Sequence, residues 1–93
     1  MRPDDTNYMD KEGDAATLAL RALTWTLGAP DRAMRFLSVT GLDPASLRSG
    51  VSDPAVLAAT LSFLADHEPD LLSCAADIGT APAALVAARE ALA

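Results

Sequence analysis

Gly41-Leu-Asp-Pro-Ala-Ser-Leu47 and Gly79-Thr-Ala-Pro-Ala-Ala-Leu85 obey one template, Gly-x-x-Pro-x-x-Leu, and each follows an apolar run. A glycine readily takes the left-handed angles that end a helix, and a proline suits the first turn of the next one. Each template therefore predicts a helix stop followed at once by a helix start. A second pair of marks, Pro30-Asp31 and Pro69-Asp70, precedes the two glycines by 11 and 10 residues, so the register slips by a single position. The repetition predicts two related three-helix units.

Outward from these marks, the remaining punctuation fills in six short helices. Asp14 is expected to cap the first, over 15–27, with Gly28 as a left-handed stop. Pro30 opens the second, which runs to about Thr40. Asp43-Pro44 caps and opens a short third helix to about Arg48. Asp53-Pro54 starts the fourth, which carries Val56, Leu57, Leu61 and Leu64 and ends at His67-Glu68 because a residue before proline avoids helical angles. Residues 69–78 and 83–92 supply the fifth and sixth. Connections of two to five residues force sequential neighbours to pack together, which predicts an all-α, compact orthogonal bundle. Residues 1–13 are acidic and lack periodicity, and are expected to form a disordered N-terminal tail. Residues 14–93 are expected to form a single helical domain, with 14–50 and 51–93 as its two three-helix units.

Composition agrees with helices. The chain has 93 residues, 51% of them hydrophobic but only 4% aromatic, so its apolar mass is mostly Ala and Leu, the strong helix formers. One core is expected at this length. The formal charge of −6 argues against direct nucleic-acid binding. About half of that charge lies in residues 1–14, where Asp4, Asp5, Asp10, Glu12 and Asp14 face only Arg2 and Lys11. The lone Cys74 cannot form an internal disulfide, and the N-terminus lacks the apolar run of a signal peptide, so a reducing cytoplasm is expected. No stretch is apolar enough to span a membrane. Arginine in place of lysine, with abundant Ala and Asp, suggests a bacterial source of high GC content.

Two places invite a functional reading. On the first helix, Ala16, Leu20, Leu23 and Leu27 fall on one side, and Leu18, Ala22 and Trp25 on nearly the opposite side. Either the helix sits at the centre of the domain, or Leu18 and Trp25 meet a partner, a role for which tryptophan is well suited. On the second helix, Met34 and Leu37 are expected in the core. Arg32 and Arg35 stand on another side with Phe36 near them, a combination able to dock an acidic helix or carboxylate. The plainer alternative pairs Arg35 with Asp31 at i, i+4 and leaves Arg32 in solvent.

Metal and catalytic chemistry fare worse. Asp66-His67-Glu68-Pro69-Asp70, with Cys74 beyond, offers ligand types, but Pro69 breaks the helix between them and acidic residues at a helix N-terminus have a capping role. No metal site and no cofactor is expected. One His and one Cys without an orienting third group, a phosphate loop or a nucleophile elbow give no catalytic constellation. Cys74, flanked by Leu71, Leu72 and Ala75, is expected to be a small buried hydrophobe.

The runs Ala19-Leu-Arg-Ala-Leu-Thr-Trp-Thr-Leu27, Arg32-Ala-Met-Arg-Phe-Leu37 and Thr40-Gly-Leu-Asp-Pro44 resemble a family of short, uncharacterised, all-helical alphaproteobacterial proteins, known only as a domain of unknown function. The resemblance covers about residues 15–92. It implies a standalone cytosolic protein and carries over no catalytic residue. Leu37-Ser-Val-Thr-Gly-Leu-Asp43 is also loosely similar to the first loop of ubiquitin-associated three-helix domains.

The leading expectation is a small non-enzymatic interaction or regulatory module that binds another protein, or its own copy as a homodimer, through the first two helices. Leu18, Trp25, Arg32, Arg35 and Phe36 are the candidate contact residues. A second expectation is an acidic mimic that inhibits a nucleic-acid-binding partner, although from Ala15 onward eight acidic residues meet five basic ones, which is mild for mimicry. A third is a bundle that holds a small apolar ligand between its helices.

Overall fold

The computed structural model describes the backbone of residues 3–92 and the side chains of residues 14–92. Among the described residues the chain forms six helices and no strand: α1 (Pro3–Leu27), α2 (Pro30–Thr40), α3 (Pro44–Ser49), α4 (Pro54–Ala65), α5 (Glu68–Ile78) and α6 (Pro82–Leu92). The expected all-α bundle is therefore present. Helix α1 starts at Pro3 and not after Asp14, so Asp14, expected to cap it, lies within the helix and not at its start; the tail expected over 1–13 falls on residues whose side chains, and for 1 and 2 the backbone also, lie outside those described.

Local chemistry sets the helix ends. Asp43 accepts from the Ser46 backbone N–H at 2.7 Å, and Asp53 from that of Ala55 at 2.9 Å, so both aspartates satisfy donors left free at a helix start. The Ser46 backbone and side-chain hydrogen bonds hold the Asp43 carboxyl below its usual pKa. Gly41 and Gly79 both adopt φ of 76°, a left-handed stop closed by backbone bonds to Leu37 and Ala75. Gly28 departs from its expected role, since among the described residues the positive-φ glycines are Gly41 and Gly79. Its N–H instead bonds the Trp25 carbonyl at 3.1 Å, a tightened last turn that needs no left-handed residue.

Packing joins the halves rather than separating them. Helix α1 lies chiefly against α6 and α4, and α4 against α6, so the principal neighbours of α1 come from the second half of the chain. The close approach relies on Ala15, Ala19 and Ala22 of α1 and Ala88 of α6, all buried beside Leu23, Leu61, Leu64 and Leu85. Small side chains let helix axes come near, and the leucines fill the space between. Helices α5 and α6 turn through 101° across Gly79. Two buried hydroxyls are satisfied within their own helices: Thr26 donates to the Ala22 carbonyl and Thr60 to that of Val56.

Helix α2 rests on the core through a different residue than expected. Phe36 is 0% exposed and meets Phe63 edge-on, with centroids 5.3 Å apart and planes at 81°, a favourable aromatic arrangement. Met34, expected inside, is 70% exposed. The physical reason is the phase of the helix: Ala33, Phe36, Leu37 and Thr40 form its inward row, and Met34 falls outside that row.

Candidate interaction surface

Trp25 is half-buried, and two polar neighbours hold its side chain. The guanidinium of Arg32 lies over its ring with Cζ 3.5 Å from the centroid, and its indole N–H donates to Asp77 Oδ2 at 2.7 Å. Arg32 also donates through Nη2 to the Trp25 carbonyl. Neither α1 nor α5 has a basic residue in its last turn. Each receives one from a neighbour: Arg32 of α2 reaches the end of α1, and Arg21 of α1 donates to the Ile78 carbonyl at the end of α5. A cation at a helix C-terminus complements both the free carbonyls and the helix dipole. The Trp25 region is a clasp that joins α1, α2 and α5.

The arginine side of α2 is engaged in the same way. Arg35 pairs with Asp70 of α5 at 2.8 Å, not with Asp31, and stands with Cζ 5.5 Å from the Phe63 centroid. His67 Nδ1 lies 3.0 Å from the same Asp70 oxygen. Partial burial pushes the Asp70 carboxyl up, but the hydrogen bond and charge of Arg35, with a smaller contribution from His67, outweigh it and hold the carboxyl below its usual range. Cys74 is fully buried beneath this region, and burial pushes its thiol pKa up to about 11, as befits an inert core thiol. No group of three metal-ligating side chains occurs among the described residues.

The five residues singled out from sequence thus share no single free face. Phe36 is in the core, Trp25 and Arg32 hold each other, and Arg35 is exposed but ion-paired. Leu18 is half-buried and lines an open depression of about 380 Å³ between α1 and α6, walled by Ala84, Ala87 and Ala91.

The open apolar face lies on the other side of α1. Leu20 is 43% exposed and Leu27 38%, seven residues apart on one side of the helix, which is about 10 Å along its axis. Leu20 helps line a depression of about 170 Å³ with Ala16, Thr17, Val51, Ser52 and Leu57. Leu27 helps line a second, of about 210 Å³, with Pro44, Leu47, Arg48 and Val51. Val51, itself 38% exposed, belongs to both and makes them one trough along α1. Sequence alone placed Leu20 and Leu27 on a core-seeking side. The one usable signal for the trough was the two-sided apolar pattern of α1, which requires one side to remain uncovered unless the helix is central.

A family model described as "Protein of unknown function (DUF3572)" matches residues 12–93. The chain belongs to the DUF3572 family. No curated protein and no solved structure matches it. Family membership therefore brings this DUF3572 protein no assigned chemistry, and its surfaces have to be read on their own terms. Among the described residues no single helix is long and apolar enough to cross a membrane.

Proposed function

We propose that this DUF3572 protein is a small, non-enzymatic interaction module that binds another protein through the trough formed by Leu20, Leu27 and Val51. The observation that carries the reading is two large leucines held half-exposed on the same side of a helix whose opposite side is clasped by polar bonds. Aligned apolar side chains with a shared floor suit an inserted apolar anchor, the usual source of binding energy in such surfaces. A reducing, cytoplasmic setting accords with a single cysteine kept as a buried thiol.

The experiment is site-specific photo-crosslinking in the source cell. A photoreactive residue at Leu20 is expected to give discrete adducts, while the same residue at Met34, exposed on α2, gives none. Equal labelling from both positions, or none from Leu20, removes the trough from consideration.

A further inference from the structure

We infer that α2 is a hinged strap that lifts from the bundle as one unit while α1, α4, α5 and α6 stay packed, and that lifting uncovers the aromatic side of the core at Trp25 and Phe63. This is the side of α1 opposite the trough, and the strap stands or falls independently of what the trough binds. Its first support is how shallowly α2 is seated. Of its eleven residues only Phe36 is buried, with Leu37 partly so, whereas α4, of twelve residues, buries six. The principal seams of the bundle, α1 with α6, α4 with α6 and α1 with α4, all exclude α2. Asp31, Met34, Arg35, Ser38 and Val39 face solvent along its length. A helix seated this way gives up little apolar burial on leaving, and regions with few buried contacts are those that open first.

Three side chains of α2 act as fastenings, and each is also a cover. The Phe36 ring and the Arg35 guanidinium stand 5.3 and 5.5 Å from the Phe63 centroid, and Arg35 reaches Asp70 at 2.8 Å. Arg32 covers Trp25 and bonds its carbonyl. That last fastening is incomplete, because the Nε of Arg32 is buried with no hydrogen-bond partner among the described residues. A buried donor left unpaired opposes the closed state, and lifting α2 returns it to water. The connections at either end suit a swing of the whole helix. Gly28 and Ala29 precede it, and Gly41, Leu42 and Asp43 follow it. Gly41 has no atom beyond its chain neighbours within 4 Å of where a side chain would start, so the backbone there turns without obstruction. A few residues at element ends are what absorb such movements. Helix α1 therefore keeps one apolar side open at all times and holds the other, with the only tryptophan of the chain, behind a gate.

Residue-resolved amide hydrogen exchange of the full chain, read by nuclear magnetic resonance, tests the strap. The amides from Ala33 to Gly41 are expected to share one opening constant, at least about tenfold larger than that of the Leu61 and Leu64 amides of α4, and less dependent on added urea, since lifting one helix exposes less surface than unfolding. Two variants separate lifting from unfolding. Arg32→Met unfastens the strap, so exchange along 33–41 should accelerate about tenfold. Ala88→Gly weakens α6, which stays packed in the lifted state, so it should speed exchange of α4 by about fivefold and leave that of α2 unchanged. If Ala88→Gly accelerates α2 as much as α4, the helix opens only with the whole fold and the strap is overturned. Opening constants that climb steadily from Phe36 toward both ends overturn it too, because they describe fraying. Should Arg32→Met not fold, Arg35→Gln, which gives up the exposed bond to Asp70, takes its place with an expected acceleration of about threefold along 33–41; no acceleration there is equally fatal.

Discussion

On one side of α1, Trp25 is covered by the Arg32 guanidinium and tied to Asp77; on the other, Leu20 and Leu27 flank Val51 and remain open. Both sides are apolar at the level of residue type. The difference lies in what neighbouring helices bring to them. Helices α2 and α5 carry groups that can bond an indole N–H and a helix-end carbonyl, so they close over Trp25 and gain connections between three helices. The segment around α3 brings Pro44, Leu47 and Val51, which pack against the leucines without covering them. An apolar residue with a polar handle can be locked in place by its own fold, whereas aliphatic residues without one are buried only by area, and here area is left over.

The sharpest way to break this comparison is to truncate the clasped side. Trp25→Ala should lower stability by about 3 kcal/mol, because it removes a large packed ring and leaves Arg32 and Asp77 without their partner; urea denaturation followed by circular dichroism measures it. A loss below 1 kcal/mol would mean that the clasp is ornamental and that Trp25 is available to a partner after all. Next, Arg32→Met, which keeps the stem and drops the guanidinium, should cost about 1.5 kcal/mol by removing both the stacking and the bond to the end of α1. The emission of Trp25, the only tryptophan of the chain, should shift in the same variant.

Smaller still is the pair that braces α2 against α5. Asp70→Asn should cost no more than about 1 kcal/mol near neutral pH, since Arg35 is substantially exposed. Because the folded-state pKa of Asp70 is lowered, its contribution is fully present above the unfolded value, 3.8, and is lost as pH falls through the folded value. The gap between wild type and variant should therefore close at the acid end of a pH series of urea titrations. Comparable in size is the open side: Leu20→Glu and Leu27→Ser, each of which removes a partly buried aliphatic side chain, should cost about 1 kcal/mol, while altering binding. If either unfolds the protein, the trough is part of the core and not a surface.

Helix ends were legible in the sequence because their causes are local. Gly41 and Gly79 stop helices by their own angles, and Asp43 and Asp53 bond donors two or three residues away. Gly28 was less so, because a tightened turn and a left-handed stop share the same glycine signature until the angles are seen. The candidate surface was legible only as a pair of competing sides. Trp25 and Asp77 are 52 residues apart and Arg35 and Asp70 are 35 apart, and nothing in the spacing of α1 announces which of its sides will find such partners. Phe36 against Met34 was decided likewise by Phe63, on a helix whose position no local rule fixes. The two Gly-x-x-Pro-x-x-Leu marks recur faithfully in backbone form, yet the helices they open differ: α3 has six residues and α6 eleven, and it is α6 that lies along α1.

Cys74, fully enclosed in the middle of α5, gives this molecule a built-in clock. A thiol with no exposure can react with an alkylating reagent only while α5 is lifted away from its neighbours, so the rate of modification in native buffer counts those openings. Because α5 is held at one end by Arg35 and at the other by Arg21, the two tethers can be timed separately with a single reagent.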